Sequence, residues 1–335
     1  MNRLPLSNST VLQSIMFMVF AFFSIVGLQG QAVRPVIQMQ PTGKGWGVVP
    51  TETGSADDVQ ARFWQSVAKT TSPNGIQYHG GKVMGGAVHV YFIWYGNWSN
   101  GPKNSDSTLT RALLESLYAR VGGVGTSGVS AITGTYADTT QVASGQYYFV
   151  QSTADSYSKG KNLTDAAVQA VVQSAIQSGK LPKDSNGIYF VLSSSDVNET
   201  SGFCNMYCGW HDHSTMLNSD IKFAFVGNPD RCPLSCEAQT AHSPNGNTGA
   251  DAMASTLVHE TAEAIADPDL TGWYDATGSE VGDKCAWKWG TVHGTMGWAA
   301  YNQTFGHRNW LIQTLWENTR GGGCVQAKGG TFYKQ

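Results

Sequence analysis

The apolar positions change their spacing several times along the chain, and each change predicts an element. Val11 to Leu28 is almost unbroken apolar sequence behind a short polar head. From Gln31 to Asp58 no period is sustained and Pro, Gly, Thr and Gln dominate. Val59 to Ala68 is helix-like. Ala87 to Trp98 (AVHVYFIWYGNW) is a run of β-branched and aromatic residues suited to a buried strand. Leu109, Leu113, Leu114 and Leu117 then fall at helical spacing across Ser107–Val121. Gln146–Val150 reads as a strand, Thr164–Ser178 as a helix, and Gly187–Ser193 and Ile221–Val226 as two more strands. A last helix opens near Gly249. Strands alternating with helices predict an α/β (α+β) layered sandwich. Beyond Pro268 the pattern dissolves into short aromatic, Gly-rich segments, a loop-rich C-terminal lobe held by disulfide bonding. The expected division is a signal peptide at 1–30, an N-terminal arm or pro-segment at 31–58, an α/β core at 59–268 and the lobe at 269–335.

Composition supports export. The head-and-apolar layout is that of a cleaved secretory signal, and no later stretch is apolar enough to span a membrane. Charged residues make up 13% and the net charge is −3, so nothing electrostatic points to nucleic acid. Six cysteines, an even number, suit disulfides in an oxidising compartment. Sequons at Asn97, Asn162, Asn198 and Asn302 add the expectation of a glycoprotein. No GxSxG, Walker loop or GxGxxG is present.

Chemistry concentrates in LVHETAEAIADPD, residues 257–269. At 100° per residue, Met253, Ala254, Leu257, Val258, Ala264 and Ile265 share one arc, while His259, Glu263 and Asp267 lie opposite. A histidine and a carboxylate at i and i+4 can ligate one ion, and Glu260 is placed to act as base on water beside it. Against the metzincin pattern HExxHxxGxxH/D, His259 and Glu260 match, Glu263 replaces the second histidine, Ala266 replaces the glycine, and Asp269 takes the third-ligand position. Glu280 and Asp283 in SEVGDKC are alternative third ligands, and Met296 follows where a Met-turn would lie. Pro268 ends the helix. The bland alternative is a solvated acidic face. Zinc is the expected ion; calcium ranks behind it, because the spacing from Asp275 fails the EF-hand loop.

Other candidates are weaker. Cys204-x3-Cys208 and Cys232-x3-Cys236 are one residue longer in spacing than zinc knuckles, and disulfides within or between the two pairs are expected, with Cys285 joined to Cys324. His211 and His213 in CGWHDH would share one face of a strand, but the favoured reading is an exposed polar loop beside a disulfide. Eleven Trp and thirteen Tyr invite sugar stacking, although most read as core.

Six stretches together carry a resemblance: YHGGKVMGGAVHVYFIWYGNWS (78–99), GFCNMYCGWH (202–211), FAFVGNPDRCPLSC (223–236), SPNGNTGADAMASTLVHETAEAIADPDLTGWYD (243–275), GDKCAW (282–287) and GGGCVQ (321–326). The chain resembles the plant EXORDIUM, or phosphate-induced protein, family. The resemblance implies an apoplastic or cell-wall protein tied to growth, cell expansion and brassinosteroid response, without a settled catalytic activity. It also makes Glu263 the family's own residue and not a lesion of an HExxH.

Two functions follow as expectations. The first is a zincin-like, metal-dependent hydrolase, a peptidase, with His259, Glu263 and Asp269 (or Glu280 or Asp283) as ligands and Glu260 as base. The alternative is a non-enzymatic signalling or wall protein that keeps the acidic site for structure. The expected partner is an extracellular protein or peptide, or a cell-wall polysaccharide.

Overall fold

The structure, a computed structural model, describes residues 75–101, 103–123, 128–294, 298–319 and 321–333. The expected signal at 1–30, the arm at 31–58, the helix-like 59–68 and Met296 lie outside these residues.

A five-stranded sheet organises the fold: β1 (Val88–Tyr95), β2 (Tyr147–Asp155), β3 (Gly187–Ser193), β4 (Gly209–Met216) and β5 (Ser219–Gly227). Its spatial order is β2-β1-β3-β5-β4. All neighbours run parallel except β4, which lies antiparallel to β5 at one edge. The central strands read as continuous apolar runs because both faces are covered. Val88, Val90, Phe92 and Trp94 face the same core as Phe190, Leu192 and Val226; Tyr91, Ile93 and Tyr95 face the other with Val191, Phe223 and Phe225.

Helix α1 (Thr108–Val121) and helix α3 (Thr248–Ala266) cover the first face, and α2 (Asp165–Gln177) covers the second. Side-chain caps start all three: Ser107, Thr164 and Asn247 accept from Thr110, Ala167 and Ala250 amides. One residue of the predicted apolar stripe of α1 lies outside the core: Leu109 is exposed, and Tyr118 and Val121 complete the buried face. Trp310, Leu315, Trp316 and Val325, from short two-stranded pairs near the C-terminus, and Ile312 from the connection between two of these strands join the core under α1 and α3.

The edge strand corrects the reading of CGWHDH as an exposed loop. Trp210 pairs with Phe225 and His211 with Ala224 across β4–β5, and His211 is fully buried. Polar residues hide this strand from a periodicity argument; what fixes it is the partner strand and two disulfides, Cys204–Cys232 and Cys208–Cys236. Cys285–Cys324 is the third disulfide, as expected.

Candidate metal centre

Helix α3 is amphipathic in sequence yet buried nearly all round. The face predicted to carry ligands is as dry as the other, with His259, Glu260, Glu263 and Asp267 all removed from solvent. The reason is β4, which packs its inner face against the helix. Strand alternation sends Trp210 into the opposite core and His211 toward α3. Gly209 permits the approach, since a Cβ there would meet Thr256 Cγ2 at 2.7 Å and the Phe225 carbonyl at 2.9 Å.

Two constellations form inside. His259 Nε2 lies 3.0 Å from Glu263 Oε1 and 3.4 Å from Asp283 Oδ1. His211 Nδ1 lies 3.6 Å from Glu260 Oε2 and 3.7 Å from Glu263 Oε2. Each triad of donors is compact enough to hold an ion, and Glu263 belongs to both. Glu280 Oε1 stands 3.7 Å from the other nitrogen of His211.

Of the six predicted residues, five therefore meet here: Glu260, His259, Glu263, Glu280 and Asp283. Asp269 lies elsewhere. Asp267 caps α3 and its Oδ1 accepts the Thr271 and Gly272 amides at 2.7 and 2.6 Å. That turn carries Asp269 toward the sheet edge, 3.8 Å from His213 Nδ1 and 3.2 Å from Lys222 Nζ. The nearby ammonium groups have partners of their own: Lys284 binds Asp275 at 2.8 Å, and Lys222 bonds Asp220.

Burial sets the charge state of the cluster. It pushes the Glu260 and Glu280 carboxyls well up, with Glu263 and Asp283 as negative neighbours adding to the effect. Glu263 also rises, chiefly through burial, and Asp267 climbs to about 7 for the same reason. At His259 burial opposes the charged ring, but the Glu263 and Glu260 charges win and hold it well above the ordinary imidazole value. Burial depresses His211 to about 3, so its ring is neutral.

The donor set fits a cation. His211 Nδ1, His259 Nε2, both Glu260 oxygens, Glu263 Oε2 and Glu280 Oε1 are buried without an aligned hydrogen-bond partner. Leaving even one buried polar atom unmet costs about 1–3 kcal/mol, and imidazole with carboxylate is zinc-type ligation. Two residues outside the sequence reading shape the site. Gln313 Nε2 lies 2.5 Å from His259 Nδ1 and donates to the Gly282 carbonyl at 3.3 Å. Gly282 lies against the His259 ring: a Cβ there would sit 2.7 Å from Cγ and Nδ1. Only adjacency to Cys285 and Asp283 marks Gly282 in sequence, and nothing marks Gln313.

A cavity of about 50 Å³ adjoins His259 and Glu260, walled by Trp287, Trp289, Leu311 and the Cys208–Cys236 disulfide. It has room for a few waters.

The family profile described as the phosphate-induced protein 1 conserved region matches residues 76–325. Protein EXORDIUM-like 5 of Arabidopsis thaliana is 31% identical over 292 residues, covering 72% of this chain and 75% of that protein. Protein EXORDIUM-like 3 of the same plant is 30% identical over 310 residues, covering 82% and 89%. Protein PHOSPHATE-INDUCED 1 of Nicotiana tabacum is 26% identical over 221 residues, covering 59% and 67%. No solved structure gives a significant match.

Proposed function

The chain belongs to the phosphate-induced protein 1 family, and from that premise we propose that it is a secreted, growth-related protein of the apoplast and a metal-dependent hydrolase, a peptidase with a zincin-like core. Zinc is held by His259, Glu263 and Asp283. One observation carries this reading: His259 Nε2 meets Glu263 Oε1 and Asp283 Oδ1 at 3.0 and 3.4 Å in a buried site. Ligands about 2.0–2.1 Å from a tetrahedral ion stand about 3.3 Å apart, which is close to the spacing of His259 from each of the two carboxylates.

Bound there, a divalent cation supplies Lewis acidity toward a carbonyl or water. The chain's own residues do the rest. Glu260 is the proton acceptor, with Oε1 beside Gly209 and Thr256 on the cavity wall. Trp287, Trp289 and Leu311 give the cavity an apolar wall beside it. The zincin-like assignment rests on the HExxE helix packed along an antiparallel edge strand.

A second reading, a non-enzymatic wall or signalling protein with a structural ion, is favoured by the depth of the site: Glu260 and Glu263 are 0% exposed and Asp283 only 8%. The deciding experiment is metal analysis of secreted protein with a peptide-library digest. Zinc bound in wild type and lost from the His259 site in His259→Ala, together with cleavage lost in Glu260→Ala but zinc at the His259 site kept, supports the hydrolase. Zinc undiminished in His259→Ala, or never present, sinks it. Bound zinc without any cleavage leaves the structural reading.

A further inference from the structure

The two oxygens of Glu263 serve two different histidines, and this relationship goes beyond a single-ion site. Oε1 faces His259 Nε2 at 3.0 Å, whereas Oε2 faces His211 Nδ1 at 3.7 Å. Oε1 is steadied by the Gly282 and Asp283 amides at 3.2 and 3.0 Å, and Oε2 has no hydrogen-bond partner.

The His211 ring shows what Oε2 waits for. Its Nε2 lies 3.4 Å from the Asp267 carbonyl, which can only accept, so the ring proton belongs on Nε2. Nδ1 then presents a lone pair, and that lone pair points at Glu260 Oε2 (3.6 Å) and Glu263 Oε2 (3.7 Å). These three buried atoms face one another and none has a hydrogen-bond partner, in a pocket closed to solvent. A backbone carbonyl holding the far nitrogen of a ring is also the arrangement that orients histidine ligands toward an ion.

We propose that His211, Glu260 and Glu263 hold a second divalent cation of the zinc class, and that Glu263 bridges it to the ion at His259 and Asp283. Glu280, 3.7 Å from His211 Nε2, borders this second ion's histidine on the far side. Glu260 contributes Oε2 to the ion and keeps Oε1 toward the cavity. A carboxylate bridging through both oxygens suits paired ions about 3.5–4 Å apart. The proposal rests on the zinc reading above, and its test separates the two.

Full-length secreted protein is stripped of metal, reloaded with Zn²⁺ or Co²⁺, and analysed by metal stoichiometry and by electron paramagnetic resonance of the cobalt form. Two equivalents in wild type, falling to one in His211→Gln with the His259 site still loaded, is the expected result. Exchange coupling between the two cobalt ions is expected in wild type and absent in that variant. One equivalent in wild type, unchanged by His211→Gln, overturns the second site and leaves the first. Two equivalents without coupling overturn the bridge. No bound metal overturns both. Should His211→Gln fail to fold, Glu260→Gln is the second variant, expected to lose the same one equivalent; two equivalents retained in it overturn the site.

Discussion

His211 on β4 and Glu260 on α3 face each other at 3.6 Å, both fully buried, with no hydrogen-bond partner at Nδ1 or at either carboxyl oxygen. This contact turns an apparently solvated helix face into the interior of a polar site. It also separates the His259 and His211 halves of the cluster, which share Glu263.

Gln313 tunes the His259 half. The ring, held in its charged form, carries a proton on Nε2, the nitrogen an ion needs, as well as on Nδ1, against which the Gln313 amide lies. Loading metal requires the amide to turn so that Oε1 accepts from Nδ1–H. Gln313→Leu should therefore weaken zinc binding roughly 10–100-fold, and Gln313→Glu should strengthen it. Competition with a chromophoric chelator measures both; equal affinities in the three proteins would refute the role.

The metal-free protein should lose stability as pH rises. Asp267 moves from 3.8 to about 7 on folding, so the folded state binds more protons than the unfolded state across that window. Stability is then full below about pH 4 and lost as pH passes through 7. Glu260, Glu263 and Glu280 are raised too and act in the same direction. His259, raised as well, also acts in that direction, whereas His211, depressed to about 3, acts oppositely below its unfolded value of 6.5, one group of this cluster against five. Melting temperatures of stripped protein should fall from pH 5 to pH 8, and zinc should remove the fall. A flat or rising profile without metal contradicts the charge assignment.

Gly282 is required by proximity, since its φ of −84° suits any residue. Gly282→Ala places a methyl group 2.7 Å from the His259 ring and should cost about 1–3 kcal/mol. Gly75→Ala, with open space around it, is the control. Chemical denaturation of both variants checks this, with near-equal midpoints as the contrary result.

The Cys285–Cys324 bridge closes a span of 39 residues beside Asp283. Replacing both cysteines by serine should destabilise the protein by roughly 4 kcal/mol from chain entropy. It should also lower zinc affinity, because Asp283 is carried by the stapled turn. Unchanged affinity in the double variant would show that Asp283 is positioned without the bridge.

Glycan occupancy should differ among the sequons. Asn302 Nδ2 donates to the Trp289 and Ile312 carbonyls at 2.7 and 2.6 Å, and its Oδ1 accepts from the Ile312 amide at 2.9 Å. A sugar on that nitrogen breaks this knot, whereas Asn162 is exposed. Glycopeptide mass spectrometry should find Asn162 occupied and Asn302 bare; the reverse would count against the packing described.

Much of the framework was determined locally. The strands at Val88–Tyr95, Gly187–Ser193 and Ser219–Gly227 and the three helices are legible because apolar period and capping residues act within a few positions. The pairing of His259 with Glu263 follows from one turn of helix. Tertiary structure decided the rest. His211 lies on a strand with polar residues, and only pairing with β5 and burial under α3 give it a role. Asp283, not Asp269, reaches His259, because the turn closed by Asp267 sends the chain to the sheet edge before the Cys285 segment returns. Helix periodicity predicts which residues share a face. Whether that face meets water or a strand carrying a histidine depends on contacts between residues far apart in the chain, which no local pattern encodes.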